Sequence, residues 1–160
     1  MIEFAVSAVT LLILIFGIMD ISRALYAYHF ISYAAQAGTR FAIVRGATFS
    51  STSCDSTTTS GGVTTTNYNS TQYQCDASAD DIKAFVKSIA PPGVDPSQLT
   101  ITPTWPAATV GSSDTATCSP ANSAGCLVQV VVSYPFNFML PFMPTSTITM
   151  SSTSEQTIQQ

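Results

Sequence analysis

The chain has 160 residues, enough for one domain and one long additional element. Only 9% of residues are charged, against roughly a quarter in an average soluble protein, and 5 Lys and Arg against 9 Asp and Glu give a formal charge of −4. That balance, with no basic stripe, excludes an electrostatic nucleic-acid footprint. The abundant Ser and Thr suit a surface packed against copies of itself or covered by sugar.

Between Ile2 and Val44 there is no proline, and the only glycines are Gly17 and Gly38. The run Phe4 to Met19 is apolar on every side, broken only by Ser7 and Thr10, whose hydroxyls can bond back to helix carbonyls. A helix apolar all round belongs in a large core or a membrane, and this chain is too short to enclose one. At ~1.5 Å per residue the run is about 24 Å long, near the ~30 Å hydrocarbon thickness, and its neighbours extend it. A secretory signal would need a basic segment first, and no Lys or Arg precedes Arg23. The helix is therefore expected to be retained. Glu3 sits at the start of this run, where a carboxylate is favourable at a helix N-terminus and costly if it enters lipid. It reads either as interfacial or as placed to meet a cation when the helix leaves the membrane, the obvious one being the N-terminal amine of a neighbouring copy.

The helical pattern continues beyond Asp20 with a changed character. Leu25, Tyr28 or Phe30, Ser32, Ala35, Thr39 and Ala42 alternate with Arg23, His29, Gln36 and Arg40, an amphipathic spacing. Gly46, preceded by Arg45, is the expected stop. Phe16, Tyr26, Tyr28, Phe30, Tyr33 and Phe41 give the helix an aromatic stripe that reads as core packing before stacked electron transport.

Residues 47–77 read as a Ser/Thr-rich loop with too few apolar groups to fold alone. It carries the sequon Asn69-Ser70-Thr71, and Thr57, Thr58, Thr59, Thr64, Thr65 and Thr66 are candidates for O-linked sugar. Four cysteines allow three pairings, and spacing favours Cys54–Cys75 and Cys118–Cys126. With no CxxC and one histidine, a metal site is the weaker reading, and disulfides place the domain outside the cytoplasm.

A short helix is expected over 78–90, capped by Ser78 or Asp80, with Ile82, Phe85, Val86 and Ile89 on one face and Pro91-Pro92-Gly93 as its end. Strands are expected at about 98–105, 127–134 and 145–153, with Leu99, Ile101 and Pro103 sharing one face and Val128, Val130 and Val132 another. Trp105 is placed to anchor a strand end, and Pro135, Pro141 and Pro144 to break a Phe/Met-rich bend. Three such strands make an antiparallel meander, for which the second half of the long helix is the natural cover. The fold class is α+β.

No nucleophile elbow, phosphate loop, zinc-protease or haem-attachment motif is present. Asp80 and Asp81 are adjacent and suit a helix N-terminus, and Asp55, Asp76 and Asp114 would need the fold to gather them before binding Ca²⁺. No enzyme, cofactor or metal is expected.

Ile2-Glu3-Phe4-Ala5, Phe16-Gly17-Ile18-Met19-Asp20, Arg23-Ala24-Leu25-Tyr26, Gly38-Thr39-Arg40 and Arg45-Gly46 resemble the start of TadE-like pilins and pseudopilins of the type IV pilus superfamily. Val128 to Phe142 and Ile148 to Ser152 resemble that family's closing strands, so the likeness covers roughly the first 46 and last 35 residues. The resemblance implies a pilin-like plan, a leader removed by a prepilin peptidase, and a subunit held in the inner membrane before the assembly machinery extracts it. The family's acidic residue maps to Glu3, third here where type IV pilins usually place it fifth, so either residue 1 is a processed terminus or the cleavage point differs. Residues 1–24 are then the transmembrane or filament-core half of the helix, 25–46 its amphipathic half, and 47–160 an extracellular domain. Met1, Glu3, Phe4, Leu11, Leu12, Leu14 and Phe16 are the candidate assembly residues, packing against other copies. The expected function is a structural filament subunit for surface attachment. The alternatives are a minor pseudopilin or anchored envelope protein that primes assembly, and an adhesive module.

Overall fold

The computed structural model describes residues 2–47, 49, 58–60, 63–65, 76–106, 122–138 and 147–159. Its organising element is α1, Ile2–Ile43, 42 residues without interruption and about 63 Å long at the standard rise. A short hairpin follows, β1 (Thr58–Ser60) and β2 (Val63–Thr65), paired antiparallel with Thr59 opposite Thr64. The sequence predicts only loop over 47–77, so this hairpin is a correction. Then come α2 (Ala79–Ser88), β3 (Thr100–Thr104), β4 (Leu127–Asn137) and β5 (Thr147–Thr157), the last three forming an antiparallel sheet in the order β3-β4-β5. The expected α+β arrangement of a long helix on a small three-stranded sheet is what forms.

α2 begins at Ser78, whose Oγ accepts from the Asp81 N–H while the Asp81 carboxylate accepts from the Ser78 N–H. This reciprocal cap settles the choice between Ser78 and Asp80. Ile82 and Val86 are fully buried beneath it. The turn after α2 uses Gly93 at φ 97°, a conformation that side chains with a Cβ resist.

β4 alternates strictly, with Val128, Val130, Val132, Tyr134 and Phe136 turned inward. It runs through Pro135 to Asn137, where the sequence reading places a break. The reason lies in the register: β3 begins opposite Ser133 and runs back toward Gln129, so beyond Ser133 β4 has no β3 partner on that side, and proline is tolerated on a strand edge. On β3, Leu99, Ile101 and Pro103 face inward as the alternation predicts, and Trp105 packs half-buried against the core. β5 is different. The residues opposite the inward β4 positions include Ser152, Ser154 and Gln156, so the helix meets a polar stripe there. Thr39, wholly buried, resolves this by sharing a 2.9 Å hydrogen bond with Ser154 Oγ while its hydroxyl lies within 3.1 Å of the Ala35 carbonyl.

The face that α1 gives the sheet is Ala27, Phe30, Ile31, Ala34, Ala35, Gly38, Thr39, Phe41 and Ala42. Small residues dominate it, so backbones approach closely. A Cβ on Gly38 would lie 3.1 Å from Val86 and 3.2 Å from Val130, tighter than ordinary contact. Leu25 and Tyr28, assigned to this face by the sequence pattern, are instead exposed at 55% and 51%. Phe30, the alternative to Tyr28, and Ala35, Thr39 and Ala42 of that pattern are buried, and Ala27 and Ala34, weakly apolar by themselves, complete the face because they are small enough to meet the sheet.

α1 stops at Ile43, three residues before the expected Gly46. The carbonyl of its last residue is taken up by distant chain, Gln159 N–H donating to Ile43 O at 3.1 Å, and just beyond the helix Ala77 N–H donates to Arg45 O at 2.8 Å. Gly38→Val should overpack this seam and destabilise the folded chain by about 1–3 kcal/mol. Thermal unfolding in detergent should show a lowered midpoint, with Ala37→Val, at a half-buried neighbouring position, changing it far less.

Candidate functional site

The sheet covers α1 only from Asp20 onward. Before that, the helix projects with no described element packed against it, and an 18-residue window of mean hydropathy 2.4 is 0% buried. By length and composition this is a candidate membrane span. Phe4, Leu11, Leu12, Leu14 and Phe16 are exposed at 80%, 59%, 51%, 57% and 54%, and Glu3 lies exposed in the first turn. The structure thus brings those six expected assembly residues onto one bare stretch; Met1 lies outside the described residues. Thr10 returns its hydroxyl to the Val6 carbonyl at 2.9 Å, so this hydroxyl needs no water.

Magnitude decides what such a surface can do. Burying a large apolar side chain gains ~1.5–3 kcal/mol, and a dozen half-exposed ones leave on the order of 10 kcal/mol ungained. That equals the whole stability of an ordinary domain. The helix half needs either lipid or other apolar surface around it.

The junction between bare and covered helix is marked by an ion pair that sequence reasoning missed. Asp20 is 3% exposed, and Arg23 Nη1 sits 3.1 Å from its Oδ1. The same guanidinium lies 5.7 Å from the centre of the Phe136 ring on β4. Asp20 and Arg23 are three apart on one helix, the spacing at which opposite charges meet, and that was the legible signal. Beside them Tyr26, Pro92, Gln98 and Asn137 help to line a cavity of about 340 Å³.

A second, larger cavity of about 540 Å³ lies between α1 and α2, lined by Tyr33, Gln36, Arg40, Phe41, Phe85 and neighbours. Phe41 and Phe85 stack at 4.6 Å with ring planes 17° apart, and the Arg45 guanidinium lies 4.2 Å over Phe41. The aromatic stripe of α1 is therefore split. Phe30 and Phe41 are core, whereas Phe16, Tyr26, Tyr28 and Tyr33 are exposed at 54%, 51%, 51% and 61%, which corrects the expectation that all six pack inward.

Cys126 is buried and disulfide-bonded; Cys54, Cys75 and Cys118 lie outside the described residues. So do Asn69, Thr57 and Thr66, while Thr58 and Thr59 fall on β1 and Thr64 and Thr65 on β2. Among the described residues no three His, Cys, Asp or Glu come together as a metal site. Asp80 is occupied by Lys83 at 3.0 Å. The Asp95 carboxyl is held below the usual carboxylate range by the Ser97 hydroxyl and N–H, which donate to it in a surface turn.

A family model described as TadE-like protein matches residues 1–40, which is most of α1. No curated protein and no solved structure matches the chain. The match covers the bare half of the helix and most of the half that docks on the sheet, and it agrees with the resemblance read from the sequence over the same residues.

Leu12→Arg should place a charge near the centre of the apolar stretch at a cost of about 2.5–3.5 kcal/mol for insertion. Fractionation of expressing cells should show the chain depleted from the membrane pellet, while Ser22→Arg, beyond the junction, leaves it there.

Proposed function

We propose that this chain is the structural subunit of an extracellular Tad-type, type IV-like pilus filament. In this reading it self-assembles through the first half of α1 and serves surface attachment or adhesion. The observation that carries it is the wholly uncovered apolar helix half within residues 1–40, the stretch that the TadE-like family model matches. In the inner membrane, lipid covers this surface. In the filament, the Leu, Ile and Phe side chains of neighbouring copies replace the lipid, and repeated burial holds the fibre together in water.

The partners in this reading are other copies of the chain, the inner membrane before assembly, a prepilin peptidase and the pilus assembly machinery; nucleic acid has no part. The chain acts as a building element and not as an enzyme. Its domain lies outside the cell, where Cys54–Cys75 and Cys118–Cys126 staple the hydroxyl-rich loops and where Asn69, Thr57, Thr58, Thr59, Thr64, Thr65 and Thr66 are the candidate positions for sugar. The disulfide at Cys126 supports an oxidising compartment.

Fibres sheared from producing cells and imaged by cryo-electron microscopy test the reading. Density that follows this chain, with α1 helices bundled at the centre, is the expected result. Recovery of the chain only from membranes, or as a rare component of another fibre, points to a minor pseudopilin or anchored envelope protein instead. Glu3→Ala should lower the fibre yield while the membrane-held domain stays folded, and normal fibre amounts would remove Glu3 from assembly. Mass spectrometry of the unreduced chain should read four hydrogens below the sum of its residues, with peptide mapping giving the two pairings.

A further inference from the structure

Most of the described charges of this chain are satisfied within it. Among the described carboxylates, Asp20 pairs with Arg23 and Asp80 with Lys83. Asp76 accepts from Asn122, Asp81 caps α2, Asp95 closes a turn and Glu155 accepts from Gln129. Glu3 alone has no partner among the described residues. Of the cations, Arg23 and Lys83 are taken, and Arg45 stacks on Phe41. That leaves Arg40 and Lys87, both exposed and without a carboxylate among the described residues.

Arg40 differs from Lys87 in its surroundings. It lines the 540 Å³ cavity between α1 and α2, beside Tyr33, Phe41 and Phe85. The site offers one unpaired cation set in an aromatic recess. Glu3, the one carboxylate without a partner among the described residues, is flanked by Ile2 and Phe4, exposed at 82% and 80%. Charge and apolar character match on both sides. One molecule cannot close this pair, because 37 residues of continuous helix hold the two about 55 Å apart.

We propose that the recess around Arg40 receives the first turn of α1 from a second copy, with Glu3 of that copy paired to Arg40 and its apolar neighbours seated against Tyr33 and the open edge of Phe85. The proposal rests on the filament reading above and names the contact that would set the axial stagger. Two parallel copies joined this way are offset by about 55 Å and overlap over little more than one helical turn. The contact is head-to-tail, so it leaves an unused recess at one end and an unused first turn at the other and propagates as an open fibre. It also gives the Glu3 carboxylate a cation when it leaves the membrane interface, where an unpaired buried charge would be costly.

Charge exchange in the full chain, expressed in producing cells, tests the contact. Arg40→Glu and Glu3→Arg should each reduce the yield of sheared fibre about tenfold or more while the membrane-held amount stays constant, and the two together should restore much of the loss. Lys87→Glu should leave the yield unchanged. Cross-linking gives a second readout: differently tagged copies, one Glu3→Cys and the other Arg40→Cys, should join through a short thiol-specific linker in fibres, and a copy carrying Lys87→Cys should not replace the latter. Wild-type fibres with an unaffected Arg40→Glu yield, or with no Glu3-to-Arg40 cross-link, would overturn the contact and leave the filament reading standing. A wild-type chain that forms no fibre would overturn both.

Discussion

Gly38 brings the backbone of α1 so close to Val86 of α2 and Val130 of β4 that even one added methyl would crowd both. That approach fixes the domain. It lets Ala34, Ala35 and Ala42 lie flat on the inward valines, and it sets the depth at which Thr39 reaches Ser154 across the gap. A larger residue in this seam would lift the helix from the polar stripe of β5 and leave the Thr39 and Ser154 hydroxyls buried without each other. Packing and hydrogen bonding are thus a single requirement here, and the run of small residues on α1 satisfies it.

The same helix then continues for about five turns beyond anything the chain can place against it. Its two halves differ in kind. The docked half has a narrow face of small residues and polar groups on its other sides, whereas the bare half is apolar all round. The first answers to one fixed partner, the sheet. The second answers to any apolar surroundings, and so can exchange lipid for protein with little change in what it needs. The Asp20–Arg23 pair sits at the change-over, held to the domain by Phe136. Charges at that point mark where the helix ceases to be suited to hydrocarbon.

Much of this was legible in the sequence. The long helix followed from 43 residues without proline, the sheet from the alternating valines 128 to 132, and the start of α2 from Ser78 and Asp80 ahead of its apolar face, though not which of the two caps it. The misreadings have specific causes. Leu25 and Tyr28 are strongly apolar and drew the inward face toward themselves, but contact with the sheet selects for size, and Ala27 and Gly38 carry almost no hydropathy signal. Pro135 read as a break because sequence does not reveal that β3 begins only opposite Ser133 and leaves β4 an edge beyond it. The polar inner stripe of β5 was invisible for a related reason: alternation of Ser and Thr looks the same from both faces. The candidate assembly residues, by contrast, were legible because exposure of that helix half follows from composition alone, whereas the Arg40 recess depends on where α2 packs.

The scarcity of charge bears on how copies could crowd together. Subunits with a formal charge of −4 repel one another when repeated at short spacing, and every additional unpaired carboxylate would add to that. The outer face of the sheet avoids it with neutral cross-strand pairs: Ser133 with Ser151 at 3.1 Å and Thr147 with Asn137 at 2.7 Å. The carboxylate on that face, Glu155, is engaged by the Gln129 amide at 2.9 Å. Hydroxyl and amide groups can be satisfied by a neighbour or by water at little difference in free energy, so such a face tolerates close packing without demanding it. Specific attraction is then left to the apolar helix, where burial is large, and to the few ions that the fold does not use. In the proposed filament this division lets the domain surface vary in sequence while the helix keeps the order of the fibre.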